Sequence, residues 1–410
     1  MNTNTTTFES LGLSNQMNRA LADMGFVTPS PIQQETIPLL MQKRDVIGQA
    51  QTGTGKTAAF AIPIIENLDM NNRAIQAVIL CPTRELAIQV AVEFRKLIKY
   101  HPNCSVVSIY GGQPIDRQFQ ALRKRPQIVI GTPGRMLDHL RRKTIQLGNV
   151  KTIVLDEADE MLDMGFRDDI ELILNHVPQE RQTVLFSATM PRVILELARK
   201  YQNNPEKINV VPEKLQTPPI EQHYFEIAHR SKLPALTHLL NVYQLKLALV
   251  FCNTKRQVDD LVYRMQSEGH LADGLHGGMS QSKRDRVMGS FRKGTIHVLV
   301  ATDVAARGID VQDIQAVFNY DLPEDTDNYI HRIGRTGRAG KMGMAFTFVS
   351  SGQGRILDML QKTMDSKLKR QIIPGVPEIQ TAASIGDPGG RPSKRTFTPR
   401  RRSRSSSAKW

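Results

Sequence analysis

Ala50-Gln51-Thr52-Gly53-Thr54-Gly55-Lys56-Thr57 decides the reading of this chain. The apolar run Asp45-Val46-Ile47-Gly48-Gln49 precedes it and the helix-forming Ala58-Ala59-Phe60-Ala61-Ile62 follows. That order predicts a strand, a glycine-rich turn and a helix start, the setting of a phosphate-binding loop. Gly53 and Gly55 let backbone N–H groups close around phosphate oxygens. Lys56 adds a point charge, and Thr57 offers a hydroxyl to a magnesium ion. Ala50 stands where the generic pattern has its first glycine, yet the Gly-Lys-Thr triplet still marks a nucleoside triphosphate site.

Working outward, short apolar runs recur, each ending in small or polar residues. In the first half they are Ala77–Cys81 before Pro82-Thr83-Arg84, Ile128–Ile130 before Gly131-Thr132-Pro133-Gly134-Arg135, Thr152–Leu155 before Asp156-Glu157-Ala158-Asp159, and Thr183–Phe186 before Ser187-Ala188-Thr189. The second half repeats the design with Leu247–Phe251, His297–Val300, Ala316–Asn319 and Ala345–Val349. Helical stretches such as Glu85–Lys99 and Lys255–Ser267 lie between the runs. Near-continuous apolar strands alternating with helices indicate parallel sheets covered on both faces. Ligands of such sheets bind outside the carboxyl ends of the strands, where this chain gathers its Gly, Thr, Arg, Asp and Ser.

The acidic run after Leu155 reads as the second half of the nucleotide site. Asp156 can hold magnesium through water, and Glu157 can position and deprotonate an attacking water. In His331-Arg332-Ile333-Gly334-Arg335-Thr336-Gly337-Arg338, the arginines Arg335 and Arg338 can stabilise charge on the transferred phosphoryl from across a cleft. A loop contacting nucleic-acid phosphates is the other reading of the same arginines.

At 410 residues the chain is long enough for two or three domains. No apolar run approaches the roughly 20 residues of a membrane span, and the polar start, Met1 to Thr7, is not a signal peptide. Cys81, Cys104 and Cys252 are too scattered for a disulfide framework or metal site, which points to a reducing, cytoplasmic setting. The formal charge is +14. Eight Lys or Arg and no acid in residues 391–410 leave +14 − 8 = +6 for the first 390. Such a polycationic end suits nucleic-acid contact through counterion release.

Several of these motifs occur together and in order, and the chain resembles the DEAD-box RNA helicases from about Phe8 to Met364. The resemblance implies two tandem RecA-like parallel-sheet α/β domains that close over ATP, with Mg2+, and single-stranded RNA. The boundaries expected are 1–205 and 221–366 for the domains, 206–220 for a short linker, and 367–410 for a disordered basic, low-complexity RNA-binding tail. Gly25-Phe26-Val27-Thr28-Pro29-Ser30-Pro31-Ile32-Gln33 is similar to the family's adenine-reading segment. Gln33 would there hydrogen-bond the adenine edge, with Phe8 and Phe26 near the base and Asp310 near the ribose. Ala50 matches the family's own form of the loop. Asp159, Ser187, Thr189 and His331 would couple ATP state to strand separation, with His331 bridging to the acidic motif and Asp303 serving the closed state. RNA phosphates and 2′-hydroxyls would fall to Pro82, Thr83, Arg84, Gly111, Gly112, Thr132, Gly134, Arg135, Asn253, Thr254, Arg284, Thr302 and Gly308.

None of those clusters carries a base-stacking aromatic, so binding should depend little on sequence and strongly on salt. Ribosomal or RNA-degradation proteins are the expected protein partners, and no membrane is. Two other readings fit the motifs: an ATP-gated RNA clamp that seldom unwinds, and a DNA-directed translocase. A regulatory GTPase is disfavoured, because the chain has no Asn-Lys-x-Asp guanine-reading motif.

Overall fold

The computed structural model describes residues 7–50, 53–210, 220–306, 311, 313–323, 326–337, 342–364 and 368–377. Gln51, Thr52, Gly308, Asp310, Arg338, the linker residues 211–219 and the tail 378–410 lie outside the described residues.

Among the described residues, fourteen strands form two sheets. The first holds β1 Val46–Gln49, β2 Ala77–Leu80, β3 Val106–Ile109, β4 Ile128–Gly131, β5 Thr152–Leu155, β6 Gln182–Ser187 and β7 Glu206–Asn209, in the order β3-β4-β2-β5-β6-β1-β7. The second holds β8 Ile220–Glu226, β9 Ala248–Phe251, β10 Ala272–Leu275, β11 Val298–Ala301, β12 Ala316–Asn319, β13 Gly343–Val349 and β14 Leu368–Arg370, in the order β10-β11-β9-β12-β13-β8-β14. Every strand pairing is parallel.

Alternation of side chains across each sheet builds a core on both faces. Val46, Ala77, Ile79, Ile128, Ile130 and Val154 enter one apolar cluster of the first domain, while Ile47, Val78, Leu80, Val129, Ile153 and Leu155 enter the other. The strands therefore read as unbroken apolar runs, because both sides are packed under helices. The second domain repeats the plan, with one cluster under the helices Lys232–Val242 and Lys255–Ser267 and two on the opposite face.

The boundaries differ from the sequence expectation at two places. Glu206–Asn209 is not linker but β7, in register with Val46–Gln49 of β1. Its Glu-Lys-Ile-Asn sequence hides it, since only Ile208 is buried on this edge strand. The second domain likewise runs beyond 366: Leu368–Arg370 pairs with β8, and Ile373 joins the core. The fixed part of the chain thus reaches into the span expected to be tail.

Candidate functional site

The strand ends of the two sheets face one another across a cleft. On the first side β1 delivers the phosphate loop and the helix Lys56–Glu66 carries it onward. Lys56 is buried and its Nζ donates to the Ala50 carbonyl at 3.0 Å, so the loop's own backbone holds the cation. Gly55 adopts φ 93°, a conformation that favours glycine, and a Cβ there would lie 2.5 Å from Gln33 Nε2 and displace its amide. Gln33 fixes the loop: its Nε2 donates to the Gly55 carbonyl at 3.1 Å, and its Oε1 accepts from the Ser30 N–H at 2.8 Å. Ser30 Oγ donates to the Thr54 carbonyl at 2.8 Å. The expected adenine-reading amide is thus a brace of the phosphate loop here. Phe8 and Phe26 stack beside it, centroids 5.9 Å apart.

Four carboxylates cluster at the end of β5. Asp156, Glu157, Asp159 and Glu160 are all nearly buried. Asp156 continues the sheet through its N–H to the Leu80 carbonyl at 2.9 Å, and its Oδ1 has no hydrogen-bond partner among the described residues. Burial pushes its carboxyl up to about 7, against the pull of Lys56 and with a further push from Glu157. Glu157 lies in the left-handed region at φ 52° and ψ 54°, at the start of the helix Ala158–Asp163. A non-glycine residue held there costs on the order of 1–2 kcal/mol, and such strain gathers at working sites. Burial raises the Glu157 carboxyl too, while Lys56 and Arg335 oppose the shift. The charge of Arg335, a buried residue of the second domain, is therefore felt by Glu157 across the cleft.

Asp159 ties this cluster to the end of β6. Its Oδ2 accepts from the N–H of Ala188 at 3.1 Å, the N–H of Thr189 at 2.8 Å and the hydroxyl of Thr189 at 2.9 Å. Ser187 Oγ donates to the Thr189 carbonyl at 2.6 Å, and the Ser187 carbonyl accepts from the Ala50 N–H at 3.1 Å. Phosphate loop, acidic run and the Ser187–Thr189 turn are one hydrogen-bonded unit.

Polar contacts join the domains at several places among the described residues. His331 Nδ1 lies 3.1 Å from Glu160 Oε1, one residue beyond the acidic motif expected to receive it. Arg84 Nη1 donates to Gln281 Oε1 at 2.8 Å. Arg284 donates to Glu85 Oε1 from Nε at 2.9 Å and from Nη2 at 2.6 Å.

Arg284, expected to meet RNA, bonds within the protein in this structure. Its guanidinium is buried on Glu85 and on the carbonyls of His276 at 3.3 Å and Ala305 at 3.5 Å, which uses its donor directions. Asn253 is likewise turned inward, with Nδ2 on the Leu322 carbonyl at 3.1 Å and Oδ1 on Arg332 Nη2 at 3.0 Å. Arg332, the largest fully buried side chain, also grips Asp303 at 2.6 and 2.7 Å, Asn319 at 3.3 Å and the Asp321 carbonyl at 2.6 Å.

Other expected backbone contacts stand at helix starts along the same face. Thr83 and Thr254 cap their helices alike, accepting from Leu86 N–H and Gln257 N–H, both at 3.3 Å. Thr132 precedes the helix Pro133–Arg141, with Gly134 exposed on its first turn. Arg135 reaches the Gln113 carbonyl at 3.4 Å. Gly112, at φ 86°, lets the Arg84 guanidinium lie against the chain where any Cβ would collide. Pro82 is buried, Gly111 half-buried beside Arg84, and Thr302 half-buried at the end of β11. Glu85, Glu160, Gln281 and Arg332 carry contacts that sequence reasoning did not assign. A usable signal existed for Gln281 and Arg284, three apart on one helix face, opposite the adjacent Arg84-Glu85 pair.

Two RecA-like domains with a phosphate loop and buried carboxylates on one wall, and arginine and histidine on the other, define a two-domain P-loop nucleoside triphosphatase. Residues 30–197 match the DEAD/DEAH box helicase family, and residues 231–340 match the helicase conserved C-terminal domain. The DEAD-box ATP-dependent RNA helicase CshA of Geobacillus kaustophilus (strain HTA426) is 51% identical over 373 residues, covering 91% of this chain and 80% of its own. S. cerevisiae Dbp5 bound to RNA and ADP BeF3 superposes with a TM-score of 0.80 at 34% identity, covering 89% of this chain and 95% of that one. A DEAD box protein from the hyperthermophile Methanococcus jannaschii is 45% identical over 89% of this chain and 99% of its own, with a TM-score of 0.51. The chain belongs to the DEAD-box ATP-dependent RNA helicases, whose ATPase is stimulated by RNA.

Proposed function

We propose that this chain binds ATP and the backbone of single-stranded RNA together in the cleft, separates short RNA duplexes locally, and lets go on hydrolysis. The observation that carries the reading is that neither wall is complete. The phosphate loop and carboxylates belong to one domain, while His331 and Arg335 come from the other. Two ligands that both favour closure then raise each other's affinity. The superposition supports a closed arrangement. The RNA- and ADP BeF3-bound Dbp5 superposes better than a more identical protein.

In the nucleotide site Lys56 exchanges the Ala50 carbonyl for phosphate oxygens. Glu157 orients a water and takes its proton as the water oxygen bonds to the γ-phosphorus and the bond to the β–γ bridging oxygen breaks, giving ADP and phosphate. Arg335 and Arg338 stabilise the charge that spreads over the γ-phosphoryl oxygens. A magnesium ion fits the residues present. The unpartnered Asp156 Oδ1 sits in a buried site that disfavours its own negative charge, and Thr57 heads the adjacent helix. Asp156 would hold the ion through water, and the ion would neutralise phosphate charge.

On the RNA face Thr83, Thr132, Thr254, Arg84 and Arg135 would meet phosphates and 2′-hydroxyls, so recognition is by backbone and not by base. A cytoplasmic setting and partners among ribosomal or RNA-degradation proteins complete the reading. The free buried cysteines support the first, and among the described residues no helix is long and apolar enough to cross a membrane.

The test is ATP hydrolysis with and without single-stranded RNA, with matched DNA as control, followed by unwinding across a series of duplex lengths. Strong stimulation by RNA alone and a steep loss of unwinding with length are expected. Equal stimulation by DNA, or length-independent unwinding with a fixed polarity, overturns it.

A further inference from the structure

The first domain carries a concentration of positive charge of which the cleft uses only Arg135. Residues 117–151 contain nine Lys or Arg and a single acid, Asp138, for a net +8. The first 390 residues sum to +6, so everything in them outside this segment sums to −2. One stretch of the body therefore holds more than its whole positive excess.

Six of those residues form two triplets, Arg123-Lys124-Arg125 and Arg141-Arg142-Lys143, and all six are exposed. They end neighbouring helices, Ile115–Leu122 and Pro133–Arg141. His139 locks the helices side by side, its Nε2 2.9 Å from Gln118 Oε1 and its ring edge-on to Phe119 at 5.5 Å between centroids. The two ends are built alike. Arg125 and Lys143 both take a left-handed φ, 53° and 55°, and their N–H groups close turns onto the carbonyls of Leu122 and Leu140.

Both helices run back from the carboxyl ends of β3 and β4, so their first turns lie beside Gly111-Gly112 and Thr132–Arg135 and their last turns at the far edge of the sheet. The separation along a nine-residue helix is about 13 Å. Arg117 and Arg135 lie on the way between.

Basic residues at a helix C-terminus have a structural use, since each complements the macrodipole by about 0.3–1 kcal/mol. One per helix in the last turn serves that purpose. Three in succession, twice, on adjacent helices repel one another and need counter-charge. Among the described residues only Arg142 of the six has an ion pair, with Asp138 at 2.6 Å.

We propose that this edge is a second polyanion track, which takes the phosphate backbone of RNA flanking the segment held in the cleft. The inference rests on the RNA-binding reading above and extends it to a surface outside the closing walls. Contact would be independent of sequence, because the triplets offer charge and no stacking surface. It would favour RNAs that continue past the cleft over strands that only fill it.

The experiment uses the full chain with Arg123→Gln, Lys124→Gln, Arg125→Asn, Arg141→Gln and Lys143→Asn combined, asparagine being placed where φ is positive. Arg142 keeps its partner. RNA affinity is measured against salt for a short single strand that fills only the cleft and for the same strand extended at both ends. For the extended RNA the slope of log affinity against log salt should fall by up to about 3.5, at about 0.7 per lost phosphate contact, with at least about a tenfold loss of affinity near physiological salt. Short-strand affinity and basal ATPase should match the parent protein. Equal slopes for parent and variant on the extended RNA overturn the track and assign the patch to an acidic protein surface. An equal drop on the short strand also overturns it, by making the residues part of the cleft. If short RNA fails to stimulate the parent ATPase, the fault lies with the RNA reading itself.

Discussion

The two walls of the cleft start from the same architecture and finish in opposite electrostatic states. Each domain places a threonine N-cap after an apolar strand, Thr83 after β2 and Thr254 after β9, with nearly the same backbone angles. Beyond that point they diverge. The first wall is left unsatisfied: among the described residues Asp156 Oδ1 and Asp159 Oδ1 are buried without partners, Glu157 is strained, and burial disfavours the charge on both Asp156 and Glu157. The second wall is internally complete. Arg332 meets Asp303, Asn319, Asn253 and the Asp321 carbonyl, while Lys232 Nζ donates to Asp321 Oδ1 at 2.8 Å. A buried polar group without a partner costs stability, and a ligand that supplies the partner recovers it. The first wall is therefore the one a bound ligand can stabilise, which agrees with the nucleotide site proposed above. The second is a rigid frame that presents its charges to that site.

Breaking the unsatisfied wall should have the largest effect. Glu157→Gln keeps the shape and the buried environment but cannot accept the water's proton. RNA-stimulated ATP turnover should fall by about 10²- to 10⁴-fold. ATP and RNA binding should survive, and labelled RNA should leave more slowly in a chase experiment. Turnover at the parental rate removes Glu157 from the proton-accepting role.

Breaking the satisfied wall should cost structure before chemistry. Arg332→Leu leaves Asp303 and the Asp321 carbonyl without their cation, and removing one partner of a buried ion pair costs about 3–5 kcal/mol. Urea unfolding should show the second domain losing that stability while nucleotide binding to the first survives. If the two domains lose stability equally, the frame is not local to the second domain and the contrast between the walls fails.

The same contrast explains what could be read from the sequence. The parallel strands were legible because double-sided burial writes them as continuous apolar runs, such as Ala77–Cys81 and Thr152–Leu155. Edge strands escaped, because β7 and β10 bury fewer positions and carry Glu, Lys, Asp or Gly. At the site, phosphate chemistry leaves local signatures, and Gly53–Thr57 and Asp156–Asp159 are contiguous. Contacts between domains leave none. Glu85 with Arg284 and His331 with Glu160 are far apart in the chain, and only the closing of two separate folds brings them together. Arg284 and Asn253 enter the RNA expectation only through the family resemblance, while in the structure both also bond within the protein. Which way such a side chain turns depends on partners that a linear reading cannot see.

The smallest expected effect tests where the walls touch. Burial draws the His331 imidazole down, but the hydrogen bond and charge of Glu160, with Asp159 behind it, outweigh burial and hold it above its ordinary value of 6.5. Arg335 opposes them from the same side as His331. When the domains part, the histidine loses those acids and returns toward its ordinary value. A pKa raised in the closed state means that closing takes up a proton. The contribution is therefore fully present below the ordinary value and is lost as pH rises through the raised one. Interdomain energy transfer with ATP and RNA bound should report closure weakening by a few-fold as pH rises from the ordinary histidine value of 6.5 through the raised one. ATP itself titrates near the lower end of that range, so the informative quantity is the ratio of parent to His331→Gln at each pH. That ratio should favour the parent at low pH and approach unity as the histidine loses its proton. A ratio that does not change with pH would mean that the 3.1 Å contact to Glu160 joins a neutral imidazole, and that the two walls meet by shape alone.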